Sequence, residues 1–256
     1  MNFENIIPDK AISLFVKNIW VFENADENST ACLPFFADGF PGLIFQQTDN
    51  GLIVQPHNKT MPPLFLYGQT IQPIQLEVSG KYLIIIFQLY PFVLRTFFNI
   101  LPQTINDNCY YLEESEERMA ELHQQLLAGN TLQHKIATIS ALLLYYFEKK
   151  RQNLDFKIRQ AVVSIMHTKG QEKIHALAGQ LHINIRTLER RFLTETGLTP
   201  KQFANIIRFQ SSLEQLNVKD FSKLTDVVFQ HGFSDQSHFI KVFKAFTGKT
   251  PKTLHR

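Results

Sequence analysis

The chain has 256 residues, 44% of them hydrophobic, and a formal net charge of +3, which describes a globular protein long enough for two domains. No apolar run approaches the ~18 residues that a membrane span needs; Ile139 to Phe147 is among the longest and contains a serine. The opening MNFENIIPDK lacks a cationic and then apolar leader, and Cys32 and Cys109 stand far apart. A secreted protein, a disulfide framework and a Cys-based zinc site are therefore not indicated, and the cytoplasm is the expected compartment.

Charge divides unevenly. Residues 157–256 carry 16 Lys+Arg against 7 Asp+Glu, a net of +9, whereas residues 1–156 carry 10 against 16, a net of −6. A basic half joined to an acidic half is the footprint expected when one module binds nucleic acid, although a solvated basic face has the same charge.

From Ser13 to Leu89 the segments read as strands. Leu14 to Phe22 is rich in Val, Ile and aromatics, and Gly42 to Gln47 and Leu52 to Gln55 flank Asp49-Asn50-Gly51, a hairpin turn signal. Leu64 to Tyr67, Ile74 to Val78 and Tyr82 to Leu89 follow; the last, YLIIIFQL, does not alternate, which predicts a strand covered on both faces. Several short strands separated by turns predict a small barrel or sandwich.

Past Pro91 the period changes. A short helix runs to Phe98, then Glu113 to Leu127 and Leu132 to Lys150 read as helices, with Glu113, Glu114, Glu116 and Glu117 where the macrodipole favours them. In the second, Leu132, Ile136, Ile139, Leu143 and Tyr146 make a stripe that Leu142, Leu144, Tyr145 and Phe147 widen. That surface either packs under the barrel or forms a dimer face. After the polar break RQNLD, Phe156 to His167 predicts a helix with Ile158, Val162 and either Ile165 or Met166 inward, ended by Gly170.

The last third contains one pattern twice. Displaced by 51 residues, Asn184 falls on Asp235, Leu188 on Phe239, Phe192 on Phe243, Gly197 on Gly248, and Thr199-Pro200-Lys201 on Thr250-Pro251-Lys252. Asn184 or Asp235 caps a helix, Gly197 or Gly248 closes it, and Thr-Pro opens the next. Each copy, preceded by Leu177-Ala178 or Val227-Val228, reads as a helix-turn-helix, the second turn one residue longer. Phe203 to Leu216 joins the copies, with Phe203, Ile206 or Ile207, Leu213 and Leu216 facing the core.

Leu177-Ala178-x-x-Leu181-x-Ile183-Asn184-x-Arg186-x-Leu188-x-Arg190-x-Phe192 with Gly197-Leu198-Thr199-Pro200, and Gly232-Phe233-Ser234-Asp235-Gln236-Ser237-His238-Phe239 with Phe243-Lys244 and Gly248-Lys249-Thr250-Pro251, resemble the two halves of the AraC/XylS-type DNA-binding domain. More weakly, Phe35 to Phe45 (FFADGFPGLIF), Tyr67-Gly68 and the Ile84 to Phe87 strand resemble the cupin-like N-terminal domain of some such regulators, where that half is a sensor or dimerisation domain. The expected class is α+β with two domains. Residues 1–152 form the cupin-like barrel or sandwich, with trailing helices within 113–150. Residues 153–256 form an all-α domain, with one helix-turn-helix at about 172–197, a linker helix at 200–216 and a second helix-turn-helix at about 222–248.

On the helix opening at Asn184, Leu188 and Phe192 define the buried side and turn Arg186, Glu189 and Arg190 outward. Arginine grips guanine with two hydrogen bonds and glutamate accepts from cytosine, and the resemblance points to the same positions. On the helix opening at Asp235, the outward residues are Gln236, Ser237, Ile240 and Lys241, with His238 nearer the edge; Gln236 suits adenine and Ile240 a thymine methyl. Arg191, Lys201, Lys244 and Lys252, with the amides after Thr199 and Thr250, are candidates for phosphate. Trp20, Phe22, Phe36, Phe45, Phe65, Tyr67 and Phe87 either line an apolar ligand pocket or pack the core.

The resemblance implies a bacterial sequence-specific transcription regulator, an activator contacting promoter or operator DNA and RNA polymerase, with a small-molecule effector and a homodimer through the N-terminal domain as further expectations. Alternatively that domain only dimerises or docks a protein. An enzyme is not expected: a fused DNA-repair module needs a cysteine cluster, a metal-dependent cupin needs paired histidines where His57 stands alone before His123, and no nucleophile-base pairing, phosphate loop, cofactor motif or metal-ligand spacing emerges.

Overall fold

A computed structural model of the chain describes residues 1–112, 116–129, 131–218 and 223–254, with the backbone alone at Glu116, Glu117 and Met119. The acidic side chains at Glu113, Glu114, Glu116 and Glu117 thus lie outside the described residues. The strands are β1 (Asn2–Ile6), β2 (Val16–Asn24), β3 (Thr30–Phe35), β4 (Gly42–Thr48), β5 (Leu52–Gln55), β6 (Lys59–Thr60), β7 (Leu64–Tyr67), β8 (Ile74–Ser79), β9 (Tyr82–Leu89) and β10 (Cys109–Tyr111). They form a six-stranded sheet, β1-β2-β9-β4-β7-β10, and a four-stranded sheet, β3-β8-β5-β6.

β9 runs between β2 and β4 in the larger sheet, and its continuous apolar run reflects two covered faces. Ile84 and Ile86 share a buried cluster with Leu33, Val54 and Leu76 of the smaller sheet. Ile85, Phe87 and Leu89 share another with Phe97, Ile139 and Leu143 of the helices that follow.

The Asp49-Asn50-Gly51 turn does not close a hairpin. β4 pairs with β7 and β9, whereas β5 pairs with β6 and β8, so the chain changes sheets at this corner. Gly51 takes φ 82°, and the turn lies against the one between β8 and β9: Asp49 N donates to Lys81 O at 3.1 Å and Lys81 N to Asp49 Oδ2 at 2.9 Å. Turn chemistry is local; partner choice follows the burial of Leu52 and Val54 with Leu76 and Val78, which a flat hairpin on β4 would forgo.

Helices α1 (Val93–Phe98), α2 (Glu116–Ala128) and α3 (Leu132–Lys150) cover the larger sheet. Much of the broad stripe of α3 goes into this packing: Ile139, Leu142, Leu143 and Tyr146 are buried and Phe147 stacks on Phe15 with ring centroids 5.0 Å apart, while Tyr145 stays exposed. A 3-10 turn at Arg151–Asn153 leads into α4 (Phe156–His167), α5 (Ile174–Gln180), α6 (Ile185–Thr196), α7 (Pro200–Asn217), α8 (Leu224–Gln230), α9 (Gln236–Thr247) and α10 (Pro251–Leu254). Helix α7 is a shared spine. Phe203, Ile206 and Ile207 pack with α4 to α6, while Phe209, Leu213 and Leu216 pack with Val227, Val228, Phe239 and Phe243.

The two halves touch along a polar seam. Side chains of the first half meet the last carbonyls of α6: Gln69 donates to Thr196 O and Asn106 to Gly197 O at 3.3 Å, while Gln103, at 3.5 Å, shares Leu193 O with the Gly197 amide, and Arg95 and Glu195 pair at 3.1 Å. The loop after β3 grips the second copy: Gln210 of α7 donates to Ala37 O at 2.6 Å, and Ala37 N donates to Phe246 O of α9 at 3.2 Å.

Candidate nucleic-acid interface and interdomain cavity

Helices α6 and α9 are built alike. Asn184 Oδ1 accepts from Thr187 N and Asp235 Oδ1 from His238 N, each at 2.8 Å. Gly197 and Gly248 close them in the left-handed region at φ 77° and 73°. In each, the last helical threonine donates to a carbonyl four residues back, Thr196 to Phe192 O at 2.7 Å and Thr247 to Phe243 O at 2.8 Å. The second turn is longer by Ser234: Ile183 N bonds Ala178 O and Phe233 N bonds Val228 O, a displacement of 50 that becomes 51 at the caps.

On α6, Leu188 and Phe192 are buried and Arg186, Glu189 and Arg190 exposed; on α9, Phe239 and Phe243 are buried, Gln236, Ser237, His238 and Lys241 exposed, and Ile240 half-buried. His238 is turned back to the corner, its Nδ1 3.2 Å from Ser234 Oγ and its ring edge-on to Phe233. The His238 amide and then the Ser234 hydroxyl hold Asp235 below the usual carboxylate range, so this cap stays charged at the helix's positive end.

Among the phosphate candidates, Lys201, Lys244 and Lys252 are exposed, and Thr250 has its hydroxyl 2.8 Å from that of Thr253. Arg191 is placed otherwise. Its Nε and Nη2 meet both oxygens of Asp155 at 2.8 and 2.6 Å, and the same carboxylate accepts from Lys157 N and Ile158 N at the start of α4. A helical wheel turns Arg191 outward; the fold brings Asp155, 36 residues away in sequence, to meet it.

Two features escaped sequence reasoning. Arg208 of α7 donates to Gly170 O at 2.9 Å and Gly232 O at 3.2 Å and lies 5.8 Å from the Phe233 ring, so one guanidinium ties the end of α4 to the second turn. Its pattern position is that of an ordinary surface arginine, and no local signal marks it. Lys173 and Lys223 are exposed at the starts of α5 and α8. The 50-residue offset would have found that pair.

The seven aromatics expected to line a ligand pocket or pack the core divide between the two. Phe45, Phe65 and Phe87 are fully buried core, and Tyr67 lines a hollow of only ≈ 10 Å³ between the sheets. Trp20, Phe22 and Phe36 instead line a cavity of ≈ 840 Å³ between the halves, with Lys17, Asp38 and Gln88 on one side and Ile207, Leu213 and Glu214 of α7 on the other. Burial pushes the Asp38 carboxyl up to about 6 and holds Lys17 below the ordinary ammonium range, opposed by the attraction between the two. Cys32 and Cys109 are free thiols, and the described residues contain no cluster of three or more metal-ligating side chains. No described helix is long and apolar enough to cross a membrane.

Comparison with known proteins agrees with this duplicated geometry. Residues 177–256 match the family described as "Helix-turn-helix domain", and residues 4–111 match a "Domain of unknown function (DUF6597)". The HTH-type transcriptional activator RhaS of Escherichia coli (strain SMS-3-5) is 25% identical over 152 residues, which cover 57% of this chain and 54% of RhaS. The chain thus spans about half the length of the curated relatives it matches. Among solved structures, ToxT from Vibrio cholerae with an unsaturated fatty acid bound is 15% identical, with 93% of this chain and 94% of that one covered at a TM-score of 0.48. The C-terminal domain of the Geobacillus stearothermophilus response regulator AraT is 21% identical, covering 40% of this chain and 86% of that one at 0.37. Residues 177–256 thus carry a helix-turn-helix domain in two copies on one spine, and the chain is similar to the AraC/XylS-type transcriptional regulators.

Proposed function

We propose that the chain reads a non-palindromic double-stranded DNA site with α6 and α9 in successive major grooves, and acts there as a bacterial transcription regulator. The observation that carries this is the duplication: two identically capped helices, each with one buried face and one exposed polar face, locked to a common helix in the half with net charge +9. Arg186, Glu189, Arg190, Gln236, Ser237, Ile240 and Lys241 are assigned to base edges, with His238 at the margin. Lys201, Lys244 and Lys252 are assigned to phosphate together with the backbone amides of Lys201 and Lys252, which follow the Thr199-Pro200 and Thr250-Pro251 pairs, and Lys173 and Lys223 join them; Arg191 contributes through Asp155 instead.

Activation, through contact with RNA polymerase, is supported by the activator relatives. Residues 1–152 are assigned as the sensor unit, carrying any contact with a second copy, and residues 153–256 as the reader, working in the cytoplasm without catalysis. Because the cavity is walled by both units, a ligand there favours whichever arrangement closes around it and is the natural effector.

The test is selection of bound sequences from a random duplex pool by the intact protein, then titration of the winner against scrambled DNA. The expected result is two sequence blocks about one helical turn apart, bound ~10³-fold or more over scrambled DNA. A single block, or binding without preference, overturns the reading.

A further inference from the structure

The interdomain cavity has a polar end and an aromatic body. At the polar end Gln88 is fixed from both sides: its Oε1 accepts from Lys17 Nζ at 3.2 Å and Asn18 Nδ2 at 2.7 Å, while its Nε2 donates to Asp38 Oδ2 at 2.6 Å. The amide thereby holds a cation and a carboxylate apart, one on each side. Lys17 uses one of the three donors of an ammonium there, and Asp38 uses its second oxygen on Phe40 N at 2.9 Å. Hydrogen-bonding capacity remains on both, and burial makes each gain from an opposite charge brought alongside. Glu214 stands on the facing wall. The body is aromatic, with Phe35 centred 6.3 Å from Trp20 and 6.2 Å from Phe22, and ≈ 840 Å³ falls within the size range of small-molecule sites.

A head of single sign fits this end poorly. A carboxylate finds Lys17 but stands beside Asp38 and Glu214; an ammonium finds the carboxylates but stands beside Lys17. We propose that the cavity binds an amino acid with a large apolar side chain, its carboxylate on Lys17, its ammonium on Asp38 and its side chain among Trp20, Phe22 and Phe35. The assignment rests on the cavity being the effector site. It makes α7, through Leu213 and Glu214, the element that senses the ligand.

Trp20 is the only tryptophan in the chain, so the emission of the intact protein reports occupancy, with calorimetry as a second readout. The probes are L-phenylalanine, 2-phenylethylamine and 3-phenylpropanoate, which share a body and differ in head charge. L-Phenylalanine is expected to saturate the signal about tenfold more tightly, or better, than either single-charge probe. Lys17→Met should narrow its advantage over the amine, and Asp38→Asn its advantage over the acid; if Asp38→Asn does not fold, Lys17→Met alone decides. The proposal is overturned if the amine or the acid binds as tightly as L-phenylalanine, if no probe gives a saturable change, or if Lys17→Met leaves the preference intact. Failure here with sequence-selective DNA binding preserved removes the ligand and leaves the reader; L-phenylalanine binding without DNA selectivity does the reverse.

Discussion

The internal duplication supplies its own control for the contact between the halves. Gly197 and Gly248 occupy the same place in the two copies, at φ 77° and 73°, so alanine at either position adopts a left-handed conformation at a similar cost of ~1–2 kcal/mol. Their surroundings differ. A Cβ at Gly197 would stand 2.8 Å from Pro102 Cβ and 2.9 Å from Gln103 N, whereas at Gly248 the nearest atom is Pro73 Cγ at 3.7 Å, an ordinary contact. Carbon atoms settle at about 3.5–4.0 Å, so the turn at Pro102 must retreat by roughly 0.7 Å or more. That retreat strains the bonds from Gln69, Gln103 and Asn106 to the end of α6, each worth about 1 kcal/mol. Gly248→Ala should therefore cost ~1–2 kcal/mol and Gly197→Ala ~3–5 kcal/mol. Denaturant unfolding of the intact chain, followed by Trp20 emission for the first half and far-UV circular dichroism for the helices, measures both. Equal costs would refute the docking of the first half on α6.

Arg190→Ala should cost ~1–3 kcal/mol of DNA binding and relax preference at one base pair, whereas Lys244→Ala should weaken all sequences alike and lower the salt slope by about one; titrations across operator variants at several salt concentrations separate the two. Arg191→Ala should leave the salt slope unchanged and lower stability by ~1 kcal/mol, because its partner is the partly buried Asp155 rather than phosphate; a lower slope would return it to the DNA surface. Arg208→Met, which frees the carbonyls of Gly170 and Gly232, should loosen the two readers, so that one base pair inserted between the operator blocks is penalised less than with the parent protein. An unchanged penalty argues against the tie. The Asp38 carboxyl is raised from 3.8 to about 6 by burial, so the folded protein holds this proton more tightly than the unfolded chain. Its stabilising effect is full below pH ~4 and lost as pH rises through ~6, amounting to about 3 kcal/mol. The denaturant midpoint of the parent should fall relative to that of Asp38→Asn across this window, and parallel curves would contradict the assignment.

Sequence alone determined what depends on neighbours within a turn or two. The caps at Asn184 and Asp235, the closing glycines and the three- and four-residue recurrence of Leu188, Phe192, Phe239 and Phe243 act over short separations, and each occurs twice at a constant offset. The continuous apolar run of β9 likewise announced its two covered faces. Tertiary structure decided what depends on which distant surfaces meet. Gly51 made a turn in either case, but the burial of Leu52 and Val54 put β4 and β5 into different sheets. Phe45 and Phe36 are equally apolar, yet one is core and the other faces a cavity, because a cavity wall exists only once α7 comes to lie opposite β2 and β3. Arg191 and Arg208 look alike as cations on helices, and only the approach of Asp155 to one and of two glycine carbonyls to the other gives them separate roles. Contacts of that kind join residues tens to more than a hundred positions apart, so they leave no period in the chain for a reader to find.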